Sequence, residues 1–239
     1  MIRGPEIALR DVRFDYGSAP MHFAVKLSGG VTTAIIGPSG SGKSTILNLI
    51  AGFEIPDSGS VLIGENDVTV LSPAERPVTM VFQDNNLFAH LPVWRNVSIG
   101  LDRDTNRNAT DRIVDGALAR VGLSGYANRM PGMLSGGERQ RVALARVLVR
   151  QRPVLLLDEP FAALGPGLRT DMLALMRALQ QETGMTVAVV THQPDEAERF
   201  ADEIVFVDQH AIAGQGPATG FSSRRDIPGL EAYIGEKDR

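Results

Sequence analysis

A glycine-rich segment, GPSGSGKST, follows a short apolar run and precedes a stretch with the apolar pattern of a helix. Its spacing matches a phosphate-binding loop, in which glycines allow successive backbone amides to surround phosphate groups. Lys43 would supply positive charge for the β- and γ-phosphate oxygens, and the Ser44 hydroxyl is a candidate ligand for Mg²⁺. The sequence therefore predicts a nucleotide site made of Gly37, Pro38, Ser39, Gly40, Ser41, Gly42, Lys43, Ser44 and Thr45.

Two carboxylates end a second apolar run, VLLLDEP. Because ligands of open parallel sheets bind at the carboxyl ends of the strands, we expect Asp158 and Glu159 at the same edge as the phosphate loop. Asp158 suits a Mg²⁺ shell, and Glu159 is a candidate base that orients and deprotonates an attacking water. Two acids after a buried strand are also compatible with a solvated turn, but the phosphate loop favours the catalytic interpretation.

Further polar residues follow two other apolar runs. His192 is predicted to contact the γ-phosphate and the catalytic water, and the Gln83 amide is predicted to contact Mg²⁺ or that water. The remaining histidines, His22, His90 and His210, have no comparable setting and are interpreted as surface or packing residues. No histidine and carboxylate cluster has metal-ligand spacing, so the predicted metal is the Mg²⁺ that accompanies the nucleotide.

The segment LSGGERQRVALAR begins a predicted helix with a serine and two glycines. Ser135 and Glu138 have the spacing of a capping box, which satisfies the first amides of a helix. A capping box needs no glycine, whereas Gly136 and Gly137 leave bare amides at the positive end of the helix dipole, where an anion binds well. The residues therefore allow two interpretations, a simple cap or a phosphate-binding surface formed by Ser135, Gly136 and Gly137.

The order of apolar segments predicts an α/β fold with a parallel sheet. Short runs of the kind that form strands buried on both faces occur at 31–36, 78–82, 154–157, 187–191 and 204–207. An amphipathic helical segment separates the third run from the fourth, which indicates a right-handed crossover. We predict one domain with a core at 1–84 and 151–216, a helical subdomain at 85–150, and a weakly structured C-terminal tail at 217–239 that contains one short helix.

Composition limits the classes of partner. The 239 residues carry a net charge of -4, which gives no general electrostatic attraction to nucleic acid or to an anionic membrane. The absence of cysteine excludes disulfides, thiolate metal sites and a cysteine nucleophile. No run has the pattern of a secretory signal or the length of a membrane span, so we expect a soluble chain that reaches a membrane only through another protein.

The motifs together, in the order phosphate loop, Gln83, LSGGERQ, LLLDEP and His192, resemble the nucleotide-binding subunits of ATP-binding cassette (ABC) transporters. The resemblance covers nearly the whole chain and implies a P-loop NTPase core, an antiparallel β region near the N-terminus and an inserted α-helical subdomain. It implies ATP hydrolysis with Mg²⁺, coupled to solute transport. In that family two copies meet head to tail, so Ser135, Gly136 and Gly137 of one copy would cap the ATP of the other. Tyr16 matches the aromatic residue that stacks on adenine, although Phe14 is a rival.

The segments NLIAGFEIPDSGSVLIG and RPVTMVFQDNNLFAHL are similar to those of the family's thiamine-importing branch. This resemblance implies import of thiamine or thiamine phosphates, integral membrane permease subunits, a periplasmic solute-binding protein as an indirect partner, and a place at the cytoplasmic face of the bacterial inner membrane. Import of iron, polyamine, sulfate or molybdate remains an alternative. A non-transport ABC ATPase, an exporter subunit, or a P-loop kinase or GTPase is less consistent with the motifs.

One segment departs from the family pattern. After Glu159 and Pro160 the family usually continues with a serine and, shortly after, an aspartate, whereas this chain has FAALG, with Ala162 and Gly165 at those positions. In the family that aspartate helps to couple the two sites of the dimer. We therefore hypothesise weaker coupling between sites with hydrolysis retained, because Glu159 and His192 are present.

Overall fold

The computed structural model describes residues 3–17, 19–82, 87–101 and 106–235. Within these ranges one sheet contains β1 (Ile7–Asp15), β2 (Pro20–Leu27), β3 (Thr32–Ile36), β4 (Ser58–Ile63), β5 (Asn66–Asp67), β6 (Val78–Val81), β7 (Val154–Asp158), β8 (Thr186–Val190), β9 (Glu203–Asp208) and β10 (Ala211–Pro217). The helices are α1 (Lys43–Ala51), α2 (Val93–Ser98), α3 (Arg107–Arg120), α4 (Gly136–Arg150), α5 (Pro166–Thr183), α6 (Pro194–Phe200) and α7 (Leu230–Gly235). The predicted α/β class is confirmed.

The sheet has a parallel centre. Its strand order is β5-β4-β1-β2-β10-β9-β3-β8-β7-β6, and β3 pairs in parallel with both β8 and β9, while β7 pairs in parallel with β8. All five residues of β3 and of β8 are buried, which explains why these strands show no alternation of apolar and charged residues. Because the four strands run in the same direction, the segments that follow β3, β7, β8 and β9 all begin at one edge of the sheet.

The N-terminal strands form the expected antiparallel region. β1 pairs with β2 on one side and with β4 on the other, both antiparallel. In β2 every second residue is buried, as in a strand with one face on the core and one toward solvent. Met21 and Phe23 on the buried face join the same apolar core as Ile46 and Leu47 of α1. This region therefore supports the helix that begins at the phosphate loop.

The C-terminal segment is more ordered than the sequence predicts. Residues 211–217 form β10 beside β9, and α7 ends the described chain. Phe221, Leu230 and Tyr233 are buried. The short helix expected in this segment agrees with α7, whereas the weak structure expected around it does not agree with β10 and the buried side chains. A few widely spaced apolar side chains are enough to attach the segment to the core.

Two compact units divide the chain. The first comprises residues 1–80, 153–159 and 180–239 and contains nearly all of the sheet. The second comprises residues 81–152 and 160–179, and it contains α2, α3, α4 and most of α5. Its bounds differ from the 85–150 subdomain of the sequence interpretation, because most of α5 and the segment before it are included. Within the described residues no helix is long and apolar enough to span a bilayer.

Candidate functional site

The glycine-rich loop connects β3 to α1. Gly37, Gly40 and Gly42 have φ values of 150°, 77° and 105°, which a residue with a side chain rarely adopts. A Cβ atom at Gly37 would lie 2.0 Å from the Val207 carbonyl oxygen, and one at Gly42 would lie 2.9 Å from the Phe23 ring. The loop is therefore pressed against the neighbouring strands, and glycine is required at both places.

The residues at the start of α1 bring a cation and a hydroxyl to this loop. The Lys43 ammonium donates to the carbonyls of Gly37 and Pro38 at 2.9 and 2.6 Å. The Ser44 hydroxyl donates to Asp158 Oδ1 at 3.0 Å. No described side chain caps the first turn of α1. The backbone amides of that turn are therefore available to a ligand in the loop. The arrangement suits an anion with several phosphate oxygens.

Glu159 and His192 lie together at the same edge. Glu159 directly follows β7, and its Oε1 is 2.8 Å from Nδ1 of His192, which follows β8. Its backbone has a φ of 47°, and its amide donates to the Val190 carbonyl at 3.2 Å. A left-handed backbone at a non-glycine residue costs of order 1 kcal/mol and persists only where its surroundings hold it. The sheet thus holds this carboxylate in one orientation, with the imidazole as its partner.

The two candidate aromatic residues differ in exposure. Phe14 is 8% exposed and belongs to the apolar core, whereas Tyr16 is 55% exposed. The two rings meet edge to face with centroids 4.6 Å apart, and the Tyr16 hydroxyl lies 3.3 Å from the Glu54 carboxylate. Stacking on a base needs an accessible ring face, so the geometry favours Tyr16 over Phe14. Its contact with adenine stays a prediction.

The segment with Ser135, Gly136 and Gly137 lies in the second unit, where α4 begins. Ser135 is the N-cap residue, and its hydroxyl accepts a hydrogen bond from the Glu138 amide at 3.3 Å. The Glu138 carboxylate accepts in turn from the Ser135 amide at 2.7 Å. The Ser135 amide, followed by the hydrogen bonds from the Tyr126 and Ser135 side chains, holds the pKa of the Glu138 carboxyl below its usual range. The capping box is thus present, and a role of the segment toward phosphate stays a prediction.

Gln83 and the neighbouring residues 84–86 lie outside the described residues. The predicted contact of Gln83 with Mg²⁺ or water therefore stays a prediction. In the part of the chain that the structure describes, no group of three or more histidine and carboxylate side chains could hold a metal ion. The oxygen ligands available near the loop are the Ser44 hydroxyl and the Asp158 carboxylate, which are of the type that Mg²⁺ prefers.

His210 contacts the phosphate loop. Its Nε2 is 3.1 Å from the carbonyl oxygen of Gly40 in the phosphate loop. The sequence interpretation of His210 as a surface or packing residue did not include this contact. One signal in the sequence could have found it, because His210 follows the apolar run 204–207 much as His192 follows its own run.

Tyr233 is a second residue near the loop that the sequence interpretation did not include. Its hydroxyl lies next to the backbone of Gly37, and its ring contacts Phe206 with centroids 5.5 Å apart. Burial, opposed by the Gly37 backbone and reinforced by the Glu159 charge, raises the pKa of Tyr233 to about 12. No local pattern predicts this contact, because it depends on how α7 packs against β9 and the loop.

Comparison with known proteins identifies the family. The family model described as ABC transporter matches residues 21–162, which is more than half of the chain. The chain belongs to the ABC transporter family. It is 58% identical over 237 residues to the thiamine import ATP-binding protein ThiQ of Brucella suis, covering 99% of this chain and 98% of that protein. The ThiQ protein of Mesorhizobium japonicum is 56% identical, with 98% of this chain and 92% of that protein covered.

Solved ABC transporter cassettes have the same fold. The ATP-binding cassette MJ1267 in its ADP conformation matches with a TM-score of 0.85 at 25% identity. The match covers 98% of this chain and 100% of MJ1267. A dimeric cassette, MJ0796, in a post-hydrolysis state with ADP and phosphate matches with a TM-score of 0.77 at 31% identity, covering 90% of this chain and 100% of the other. The P-loop NTPase fold expected from the sequence is therefore confirmed.

Proposed function

We propose that this ABC transporter chain is the ATP-hydrolysing subunit of an importer for thiamine or thiamine phosphates. The observation that supports hydrolysis best is one continuous set of side chains at the carboxyl edge of the sheet. Ser44 is hydrogen-bonded to Asp158, and Glu159, the next residue, is paired with His192. A phosphate loop, a hydroxyl and carboxylate pair for Mg²⁺, and an oriented carboxylate are the parts that phosphoryl transfer to water requires.

Each residue has a distinct role in this proposal. The loop amides and Lys43 bind the phosphates, and Ser44 and Asp158, with Gln83, hold Mg²⁺. When bound, Mg²⁺ neutralises phosphate charge and orients the terminal phosphate groups. Glu159 orients the attacking water and accepts its proton. His192, whose Nδ1 is 2.8 Å from Glu159 Oε1, keeps that carboxylate in place and would contact the terminal phosphate.

Thiamine as the solute rests on the relatives. ThiQ proteins that are 56–58% identical cover almost the entire chain, and their names give thiamine import as their role. The solute itself would contact membrane permease subunits and a periplasmic binding protein, and this chain would lie at the cytoplasmic face of the inner membrane. An importer of iron, polyamine, sulfate or molybdate is the alternative.

A homodimer completes the proposal. The solved MJ0796 cassette is dimeric, which supports pairing of two copies. In the proposed head-to-tail dimer, Ser135, Gly136 and Gly137 of one copy would meet the ATP on the phosphate loop of the other. The bare amides at the start of α4 are suited to this because no side chain at Gly136 covers them. A methyl group added there would meet no described atom closer than 3.8 Å.

Two substitutions test hydrolysis. Glu159→Gln should keep ATP binding and slow hydrolysis by roughly 10² to 10⁴, because the amide orients water without accepting its proton. Lys43→Ala should abolish productive ATP binding. Glu65→Gln, at an exposed position, is the matched control and should hydrolyse ATP as the wild type does. Full turnover by the Glu159→Gln protein would exclude this residue as the base.

The solute is tested in the assembled importer. With permease subunits and the binding protein reconstituted in vesicles, thiamine should stimulate ATP hydrolysis and accumulate inside, while iron, spermidine, sulfate and molybdate should do neither. Stimulation by one of those solutes and not by thiamine would replace thiamine as the substrate without changing the proposed ATPase.

A further inference from the structure

The turn between β9 and β10 lies beside the phosphate loop for a topological reason. β9 is the immediate parallel neighbour of β3, with Ile36 opposite Phe206. The segments that follow these two strands therefore emerge side by side at the same sheet edge. Gln209 and His210 form the two-residue connection to β10, since Asp208 pairs with Ala211.

This turn has an unusual backbone for its residues. Gln209 has a φ of 44° and His210 a φ of 64°, as in a type I′ hairpin turn. Glycine, asparagine and aspartate are the residues that favour such a turn, and neither glutamine nor histidine is among them. Strained residues of this kind persist where the surroundings hold them and are concentrated at functional sites. The contacts of the two side chains are therefore candidates for what holds this turn in place.

His210 is held at both its backbone and its ring. The His22 amide donates to the His210 carbonyl at 3.0 Å, which attaches the turn to β2. The half-buried imidazole places Nε2 at 3.1 Å from the Gly40 carbonyl oxygen. Gly40 is at the exposed apex of the loop, where an added Cβ would meet no described atom within 4 Å. The imidazole therefore contacts the least enclosed part of the loop.

We propose that His210 is a positioning residue of the phosphate loop. By donating from Nε2 to the Gly40 carbonyl, the ring holds the apex peptide in one orientation, so that the loop amides stay directed toward the phosphates. The effect is on nucleotide binding and not on the hydrolytic step, because Glu159 and His192 are positioned by other strands. This inference rests on the proposed ATPase function and adds a residue to its binding site.

Three variants separate this role from a structural one. His210→Gly removes the ring and relieves the left-handed strain, so the protein should be at least as heat-stable as the wild type. Its KM for ATP should rise roughly 3- to 10-fold, because the loss of one hydrogen bond weakens binding by about that factor. Its kcat should stay within about twofold of the wild-type value. His210→Gln offers an amide N–H in place of Nε2 and should recover most of the affinity. Gln209→Gly changes the same turn, keeps the imidazole and should leave KM unchanged.

The assay separates a failure of the His210 inference from a failure of the proposed ATP site. If His210→Gly binds ATP as the wild type does, or if Gln209→Gly raises KM equally, the inference is wrong and the turn is only a connection. The same assay includes Lys43→Ala. Loss of ATP binding in Lys43→Ala together with normal binding in His210→Gly would overturn this inference alone, whereas unchanged binding in Lys43→Ala would overturn the proposed ATP site itself.

Discussion

At the scale of single residues, the two glycines of the SGG segment have different surroundings. A Cβ at Gly137 would lie 2.6 Å from the Leu168 side chain of α5, whereas one at Gly136 would meet only Leu164, at 3.8 Å. A side chain at Gly137 would therefore have to displace Leu168. A side chain at Gly136 would displace nothing within this chain, so glycine at that position matters only if something outside the described residues approaches the helix end.

Alanine substitutions at these two glycines should differ in stability. Gly136→Ala should leave the free energy of unfolding unchanged or slightly higher, because alanine favours helix and meets no close atom. Gly137→Ala should be about 1 kcal/mol less stable than Gly136→Ala, since the added methyl group displaces Leu168. The double variant Gly137→Ala with Leu168→Ala serves as the control, and urea unfolding measures all of them. If Gly137→Ala lowers the free energy of unfolding as much in the Leu168→Ala protein as in the wild type, the packing explanation is incorrect.

At the scale of an element, the start of α4 depends on an ionised carboxylate. The Ser135 backbone amide, Tyr126, the Ser135 hydroxyl and the Arg129 charge all lower the pKa of Glu138. A carboxyl group whose pKa is lower in the folded state contributes stability above its unfolded pKa of about 4.3 and loses it as the pH falls through the lowered value. The N-terminal turn of α4 should therefore weaken in acid.

Acid titration of Glu138→Gln measures this contribution. The glutamine can still accept from the Ser135 amide but carries no charge, so the variant should be less stable than the wild type at pH 7. The difference should shrink as the pH falls below about 4.3 and vanish once the wild-type carboxylate is protonated. Glu65→Gln is the exposed control. A stability difference that stays constant from pH 7 to about pH 3 would show that ionisation of Glu138 contributes nothing.

At the scale of the whole molecule, the proposed catalytic cycle needs a second copy of the chain. Each copy carries a phosphate loop in one unit and the SGG segment in the other. The family's usual aspartate is replaced by Gly165, which is exposed, and a Cβ added to it would meet no described atom within 4 Å. An aspartate would therefore fit at this position without repacking the chain that surrounds it.

Solution mass should reveal this dimer. The Glu159→Gln protein should change from monomer to dimer when ATP is added, because ATP stays bound without being hydrolysed. Ser135→Arg should prevent the change by placing a long cation at the interface, whereas Ser135→Ala, which also loses the cap but adds no bulk, should weaken it less. Gly165→Asp should strengthen the dimer if the missing carboxylate weakens coupling. A monomer with ATP in both the Glu159→Gln protein and its Gly165→Asp derivative would contradict the homodimer proposal.

Much of the fold could be predicted from local patterns. The apolar runs located β3, β6, β7, β8 and β9 to within one or two residues, because strands buried on both faces need continuous apolar sequence. The capping box of Ser135 and Glu138 was predictable because it involves residues three apart. The C-terminal segment was not, since its burial depends on contacts with strands far away in sequence.

The sequence by itself determined the family, the α/β class and the segments that carry the phosphate loop and the two acids, because each depends on residue types at fixed local spacing. Only the tertiary structure decided which long-range neighbours surround those segments. It placed Phe14 in the core and Tyr16 outside, brought Tyr233 to Gly37, and set His210 against Gly40. The physical reason is that sheet order and strand direction, which no short spacing encodes, determine which segments meet at the sheet edge.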